Sequence, residues 1–231
     1  MDDRFFLFIT YLALLILIVP IAVLYWTVGA AGLMQAFENY QFIESVLVTL
    51  VGALAATLLN VAIGTPVAYS LSRRLVRAES AFYDIFLSPV SIPHTVVGIM
   101  LLLAFSPVSP LYPALRYISP VDNLLGLSLA MFYVSFPIYL MSIKETFDKS
   151  DLDLELFIQS LGRSRFYVFT RVVFPENAGS VLRIALLSMG RAISEFGSLI
   201  IIAYSVTFLP FCRYVMPATV FIWYTYDVYG L

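Results

Sequence analysis

Long apolar stretches alternate with short polar segments along the whole chain. Five stretches carry few charges, at approximately positions 5–28, 45–71, 83–105, 124–143 and 180–204. A helix needs about 20 apolar residues to cross a bilayer. Backbone polar groups must bond to one another in lipid, and the apolar runs are continuous rather than alternating. The pattern therefore predicts five membrane helices rather than a transmembrane barrel.

Composition agrees with a membrane protein. Hydrophobic residues make up 61% of the 231 residues and charged residues 12%, whereas soluble domains carry about 25% charged residues. The stretch 5–28 is too long for a signal peptide, and the residues before it are not basic, so we expect a retained helix. The one cysteine, Cys212, cannot form an intrachain disulfide and is expected to pack. The one histidine, His94, gives no cluster for a metal site.

Prolines interrupt several of the predicted helices. They are Pro20, Pro66, Pro89, Pro93 and Pro137. Because proline lacks a backbone donor, kinks are expected at these positions.

Basic residues are concentrated in two of the four connecting loops. The second loop holds Arg73, Arg74 and Arg77, and the fourth holds Lys144, Lys149, Arg163, Arg165 and Arg171. The first loop, 29–44, has no Lys or Arg, and the third has Arg116 alone. Basic loops stay in the cytoplasm. We therefore expect the N-terminus and the second and fourth loops to be cytoplasmic.

The fourth loop contains the longest polar interruption, 151–175. Leu154, Phe157, Ile158 and Leu161 follow one helical stripe. Gly162 favours a helix end, so the pattern predicts a second short helix, 165–173, running into Pro175. Ser150 with Asp153 is typical of a capping box at the start of the first helix. An apolar stripe of this kind fills a groove on another protein, or lies on the lipid surface.

Charged residues inside the predicted spans are candidates for function. Arg191 and Glu195 are spaced i, i+4 in the fifth span, where each charge costs about 2.5–3.5 kcal/mol at mid-membrane. They form either a structural ion pair or part of a translocation path and gate. His94 follows Pro93 and precedes Thr95 in the third span. It is either a packed histidine or, with Pro93 and Thr95, part of the same path.

Several other function classes lack their motifs. The chain has no GxxxxGK[ST] loop for ATP, no HExxH and no GxSxG, so we expect no catalytic residues and no cofactor of its own. An intramembrane hydrolase is therefore disfavoured, and nothing indicates a nucleic-acid partner. Composition leaves open a non-transporting membrane scaffold or receptor.

The fourth loop resembles the signature of ABC-importer permeases. That signature has a glutamate–alanine–alanine cluster, then a glycine, then an Ile-x-Leu-Pro end. Its spacing is matched here by Glu155, by Gly162, and by Val172, Phe174 and Pro175. Leu156, Phe157 and Ile158 are bulkier than the alanines of that signature. The resemblance implies that 144–179 is a cytoplasmic coupling loop that docks on an ATP-binding subunit. Its ATPase-coupling residues would be Glu155, Leu156, Phe157, Ile158, Leu161, Gly162 and Pro175.

Three further segments, 92–98, 136–139 and 191–197, resemble molybdate/tungstate permeases. This resemblance implies an all-α type I ABC importer permease that imports molybdate or tungstate, with sulfate, thiosulfate or another substrate as the alternative. It also implies a homodimer in the cell membrane, two ATP-binding subunits that bind the ATP, and an extracytoplasmic oxyanion-binding protein. The permease itself would not be an enzyme.

The same resemblance suggests a domain plan. Residues 1–44 would form an added N-terminal helix with an external loop, and 45–231 the permease domain. Permeases of that subfamily usually have a sixth helix, which is missing after position 204, so we expect a truncated chain.

Overall fold

The computed structural model describes residues 2–208 and 213–230. It comprises two compact units, Met1–Glu44 and Ser45–Leu231. The predicted packing role of Cys212 falls outside the described residues.

Helix α1, Asp2–Glu38, forms most of the first unit, and its apolar side chains are exposed as in a lipid-facing helix. It kinks at Gly29, which has a φ of 66°. The prediction of a loop over 29–44 is wrong, because the helix resumes after Gly29 through a run of strong helix formers. Helix α2, Tyr40–Leu59, begins directly afterwards. The side chain of Asn39 accepts hydrogen bonds from the backbone of Gln41 and Phe42 at its start.

Two membrane helices contain a π-helical turn. The first joins α2 to α3, Thr65–Ser72, through Asn60–Gly64. The second joins α9, Arg165–Val168, to α10, Phe174–Ile193, through Phe169–Val173. Each turn ends just before a proline, Pro66 or Pro175. A proline lacks a donor and clashes with the carbonyl four residues earlier, and the wider turn accommodates it without ending the helix.

The predicted third span is not one straight helix. Helix α4, Glu79–Leu87, and the 3₁₀ turn Ser88–Ser91 are followed by α5, His94–Ala104, at an angle of 113°. Pro89 lies in the turn, and Pro93 directly precedes α5. A short helix, α6, Tyr112–Leu115, lies in the following connection.

Helix α7, Leu124–Asp148, continues through Pro137 and is the centre of the second unit. In its first half, Met131 packs in one core cluster with Val48 and Ile202, and in its second half Tyr139 packs in another with Leu71 and Val173. It contacts α3 and α10 extensively.

The fifth predicted span, 180–204, is displaced in the structure, where the span is Arg165–Ile193. The polar side of α10 hides its first half from a search for apolar runs. After α10 come α11, Leu199–Ile202, strands β1, Val206–Phe208, and β2, Arg213–Val215, and α12, Ala218–Tyr229. The strands pair antiparallel. Among the described residues, four helices are long and apolar enough to cross a membrane, or five if the bent pair is one span.

Candidate functional site

The segment that precedes α9 folds as the helix α8, Leu152–Ser160. The predicted capping box is displaced by one residue, because the side chain of Asp151, rather than Ser150, accepts hydrogen bonds from the backbone of Asp153 and Leu154. Gly162 has a φ of 85°, which favours glycine and separates α8 from α9. The second helix is not short, because it continues past Pro175 into α10.

The carboxylate of Glu155 is buried inside the protein, with 2% of the residue exposed. Its Oε1 accepts hydrogen bonds from Arg73 Nη2 at 2.5 Å and Nε at 3.0 Å, and its Oε2 accepts one from the Tyr69 hydroxyl at 2.8 Å. A buried carboxylate needs such a partner, because loss of water around an unpaired charge costs several kcal/mol. Glu155 therefore faces α3 rather than a partner protein.

Arg73 connects this carboxylate to the end of α7. Its Nη1 donates to the carbonyl of Phe147 at 2.9 Å, and its Nη2 donates to the hydroxyl of Ser150 at 2.5 Å. Together, Glu155, Arg73, Tyr69 and Ser150 form what we call the Glu155 node. The node attaches α8 to both α3 and α7.

The opposite side of α8 is apolar and exposed. Leu154, Leu156, Phe157 and Leu161 are 40%, 52%, 61% and 66% exposed, and Ile158 is half-buried. The bulky side chains at 156 and 157 thus point away from the protein. They do not disturb its packing, and they form the surface that a groove would receive.

The candidate path residues His94, Arg191 and Glu195 come together although two spans contribute them. Arg191 Nη2 lies 3.1 Å from Glu195 Oε2 and 3.0 Å from His94 Nε2. His94 Nδ1 lies 3.6 Å from the same Glu195 oxygen. We call these three residues the His94 cluster. The predicted i, i+4 ion pair is present, although Glu195 lies just beyond the end of α10.

The break after α10 positions the carboxylate of Glu195. Its Oε1 accepts hydrogen bonds from the backbone N–H and the hydroxyl of Ser198, at 3.0 and 2.9 Å. The hydroxyl of Thr219 donates to its backbone carbonyl. Two glycines allow α5 to approach this turn closely. A Cβ on Gly197 would lie 2.8 Å from the Cβ of His94, and a Cβ on Gly98 would lie 2.7 Å from the carbonyl oxygen of Ser198.

The His94 cluster is open on one side. The side chains of His94 and Arg191 are 44% and 24% exposed, while that of Glu195 is 1% exposed. With Thr95, they line an open pocket of about 430 Å³. Pro93 is not among the lining residues; it directly precedes α5. The pocket presents guanidinium and imidazole nitrogens, and the carboxylate of Glu195 lies behind them.

Sequence reasoning missed several partners in both regions. The sequence patterns used Arg73 only as a topology signal and Ser150 only as a candidate helix cap, and they gave no role to Tyr69 or Ser198. The position of Arg73 at the end of an apolar span is a usable signal, because a charge there needs a partner nearby. Among the described residues, no three His, Cys, Asp or Glu side chains are placed to hold a metal ion.

Comparisons with known proteins agree with this architecture. No family model matches the chain. The molybdate/tungstate transport system permease protein WtpB of Pyrococcus furiosus is 33% identical over 189 residues, which are 82% of this chain and 68% of the relative. A probable molybdenum ABC transporter permease protein of Haloferax volcanii is 32% identical over 197 residues, 85% of this chain and 72% of the relative.

The sulfate transport system permease protein CysT of Synechocystis is also similar, at 30% identity over 216 residues, 90% of this chain and 73% of the relative. The relatives and the apolar helices together confirm a multi-pass, mainly helical membrane protein. The chain belongs to the family of ABC transport-system permeases of the molybdate/tungstate kind.

Proposed function

We propose that this chain forms the membrane path of an ATP-driven importer for a small tetrahedral oxyanion, with molybdate or tungstate as the substrate. Membership of the family makes it a permease subunit of a system that has ATP-binding and substrate-binding components. ATP hydrolysis occurs in the ATP-binding partner. We expect the permease to use no cofactor of its own.

The uncovered polar side of α10 is the observation that carries this proposal. Val181, Ala185, Ser188 and Ala192 pack inward. One side of the helix carries the exposed or half-exposed polar residues Glu176, Ser180, Arg183 and Arg191, continues to Ser194 just beyond its end, and includes the exposed Leu187. Leu182 and Leu186 are also exposed and apolar. Charged residues in a membrane helix face a water-filled cavity or a protein partner rather than lipid. Within one chain nothing described covers this polar side, which supports a path shared with a second permease copy.

The arrangement of charges in the His94 cluster suits transient binding of an anion. Arg191 presents N–H donors that match the oxygens of a tetrahedral oxyanion. Glu195 lies 3.1 Å from the same guanidinium and competes with the anion for it. A path needs binding that is favourable enough for entry but weak enough for release. We therefore assign entry to Arg191, with His94 and Thr95 beside it, and release to Glu195.

The apolar side of α8 is the proposed contact with the ATP-binding subunit. Leu156, Phe157 and Leu161 would enter a groove of that subunit, and the half-buried Ile158 would pack beneath them. Glu155 would transmit movement of α8 to α3 and α7 through Arg73. Gly162 separates α8 from α9, and Pro175 marks the wider turn that follows. The positive-inside rule supports a cytoplasmic N-terminus and a cytoplasmic coupling loop over 144–179. Each of two permease copies would dock one ATP-binding subunit.

Uptake of radiolabelled molybdate into proteoliposomes tests the proposal. The vesicles contain the permease and the cognate ATP-binding subunit, and the cognate binding protein is added outside. We expect ATP-dependent uptake that unlabelled tungstate competes with. The variant Arg191→Gln should reduce the initial rate by about tenfold or more, which is the loss of a charge-assisted contact of about 1.5 kcal/mol. The matched control Leu182→Ala, on the apolar side of α10, should leave the rate unchanged.

Sulfate is the second candidate substrate, because a sulfate permease aligns with 90% of the chain at 30% identity. Strong competition by sulfate and weak competition by tungstate would move the assignment to sulfate. An absence of binding-protein-dependent uptake for every oxyanion would contradict the proposal.

A further inference from the structure

We propose that a pocket beside α8 receives a carboxylate side chain of the ATP-binding subunit, so that the coupling contact is basic as well as apolar. This inference rests on the proposed docking of α8. It adds a site and a partner chemistry that the apolar stripe alone does not specify.

The pocket lies between the end of α3 and the side of α8 that carries Glu155, with a volume of about 400 Å³. Its described lining includes three arginines, Arg73, Arg74 and Arg165, against one carboxylate, Glu155. That carboxylate is already paired with Arg73 at 2.5 Å. The positive charge left over comes from Arg74 and Arg165.

Both remaining arginines are available to a ligand. The side chain of Arg74 is 85% exposed, and its nearest carboxylate, that of Glu79, is 3.8 Å away, beyond hydrogen-bond distance. Arg165 is exposed, and its side chain makes no hydrogen bond or ion pair with any residue that the structure describes. A carboxylate matches the planar donors of a guanidinium, and such pairs are directional.

The remaining lining favours a protein rather than a free anion. Leu152 and Leu156, both about half exposed, form one side of the pocket, and they continue into the apolar surface of Phe157 and Leu161. An occupant must therefore present an acidic group and an apolar surface together. The groove that takes α8 can do both if it carries an aspartate or glutamate at its edge. The Glu155 node supports the site, since Arg73 and Glu155 form its floor.

Binding of the full-length permease to the purified cognate ATP-binding subunit tests the inference, in detergent without added lipid and at low and high ionic strength. The double variant Arg74→Gln/Arg165→Gln should weaken binding by about fivefold at low ionic strength, as expected for two partly exposed ion pairs. It should also show a smaller loss of affinity with salt. The matched control is Arg77→Gln/Arg163→Gln, which removes the same charge from outside the pocket and should retain wild-type affinity.

Equal weakening in both double variants would overturn the inference, because it would indicate general attraction rather than a site. Unchanged binding in the pocket variant would also overturn it. Binding to phosphatidylglycerol vesicles is measured for the same pocket variant. If that binding is lost while binding to the subunit is unchanged, the occupant is a lipid headgroup and the inference is overturned. If the wild-type chain did not bind the subunit at all, the proposed docking itself would fail.

A crosslink identifies the carboxylate directly. The variant Arg165→Lys places an amine in the pocket, and a carbodiimide joins an amine to a carboxylate in contact with it. We expect an isopeptide bond to one aspartate or glutamate of the ATP-binding subunit, located by mass spectrometry. The same treatment of Arg163→Lys should give no such product, and a product shared by both variants would contradict a defined pocket.

Discussion

Two buried glutamates, Glu155 and Glu195, have the same chemistry and opposite surroundings. Each residue is at most 2% exposed, and each carboxylate contacts an arginine. The side chain of Arg73, beside Glu155, is 8% exposed, whereas that of Arg191, beside Glu195, is 24% exposed. The first pair is the more deeply buried, at the floor of the pocket beside α8, and joins three helices. The second is the more exposed and lines a pocket with His94. We expect the more deeply buried pair to fix a position and the more exposed pair to exchange a partner more readily.

The largest expected effect is that of Glu155→Gln. It leaves the guanidinium of Arg73 buried without a counter-charge, and such a loss costs about 3–5 kcal/mol. Chemical unfolding in detergent micelles measures the change in the free energy of unfolding. A cost below that of the matching change at Glu195 would reverse the comparison.

The matching substitution, Glu195→Gln, should cost less, about 1–2 kcal/mol. The amide oxygen of glutamine can still accept from Ser198, and Arg191 can turn towards water because its side chain is partly exposed. The same unfolding measurement applies. The initial rate of anion uptake should nevertheless differ from that of the wild type, because Glu195 is assigned to release. An uptake rate equal to the wild type would argue against a role in transport.

Alanine substitutions at two glycines, one in each region, distinguish the destabilisation caused by backbone strain from that caused by steric crowding. Gly197→Ala should cost about 1–3 kcal/mol, because the new methyl group would lie 2.8 Å from the Cβ of His94 and displace it. Gly162→Ala should cost about 1 kcal/mol, because its φ of 85° is unfavourable for alanine although no atom lies within 4 Å. Thermal unfolding of both variants gives the order, and an equal loss at Gly162 would show that its backbone is more constrained than its surroundings suggest.

The smallest effect is expected for Glu145→Gln, a control for both regions. Glu145 pairs with Lys149 at 2.7 Å, but the two side chains are 68% and 74% exposed. Exposed i, i+4 pairs contribute about 0.3–0.5 kcal/mol. A loss above about 1 kcal/mol in the unfolding assay would mean that ion pairs in this protein are stronger than exposure predicts.

Local patterns in the sequence predicted local structure well. The long apolar run at 124–143 became α7, and the residue spacing around Gly162 located the break between α8 and α9. Both features depend on residues close in sequence. The predicted role of each candidate residue in coupling or transport stays a prediction, since geometry alone does not test transport.

Contacts between residues far apart in the sequence could not be predicted from the hydrophobic and polar pattern. Arg73 and Glu155 are 82 positions apart, and His94 and Arg191 are 97 apart. Their pairing depends on how α3, α5, α8 and α10 pack, which periodicity does not encode. The boundaries of the fifth span failed for a related reason. A helix with one polar side has low average hydrophobicity. A search for continuous apolar residues therefore detected the C-terminal half of α10 and the segment after it, and not the start of the helix.

The two π-helical turns also affect mechanical stiffness. A regular helix resists bending because every turn is held by hydrogen bonds, but a proline has already removed one of them at Pro66 and Pro175. Bending at these points therefore breaks fewer bonds than bending elsewhere in the same helices. Both points lie between the Glu155 node or α8 and the deeper membrane segments of their helices. The protein thus has two flexible points, the π-helical turns before Pro66 and Pro175, next to the rigid Glu155 node. When α8 is displaced, we expect the helices to bend mainly at these two turns.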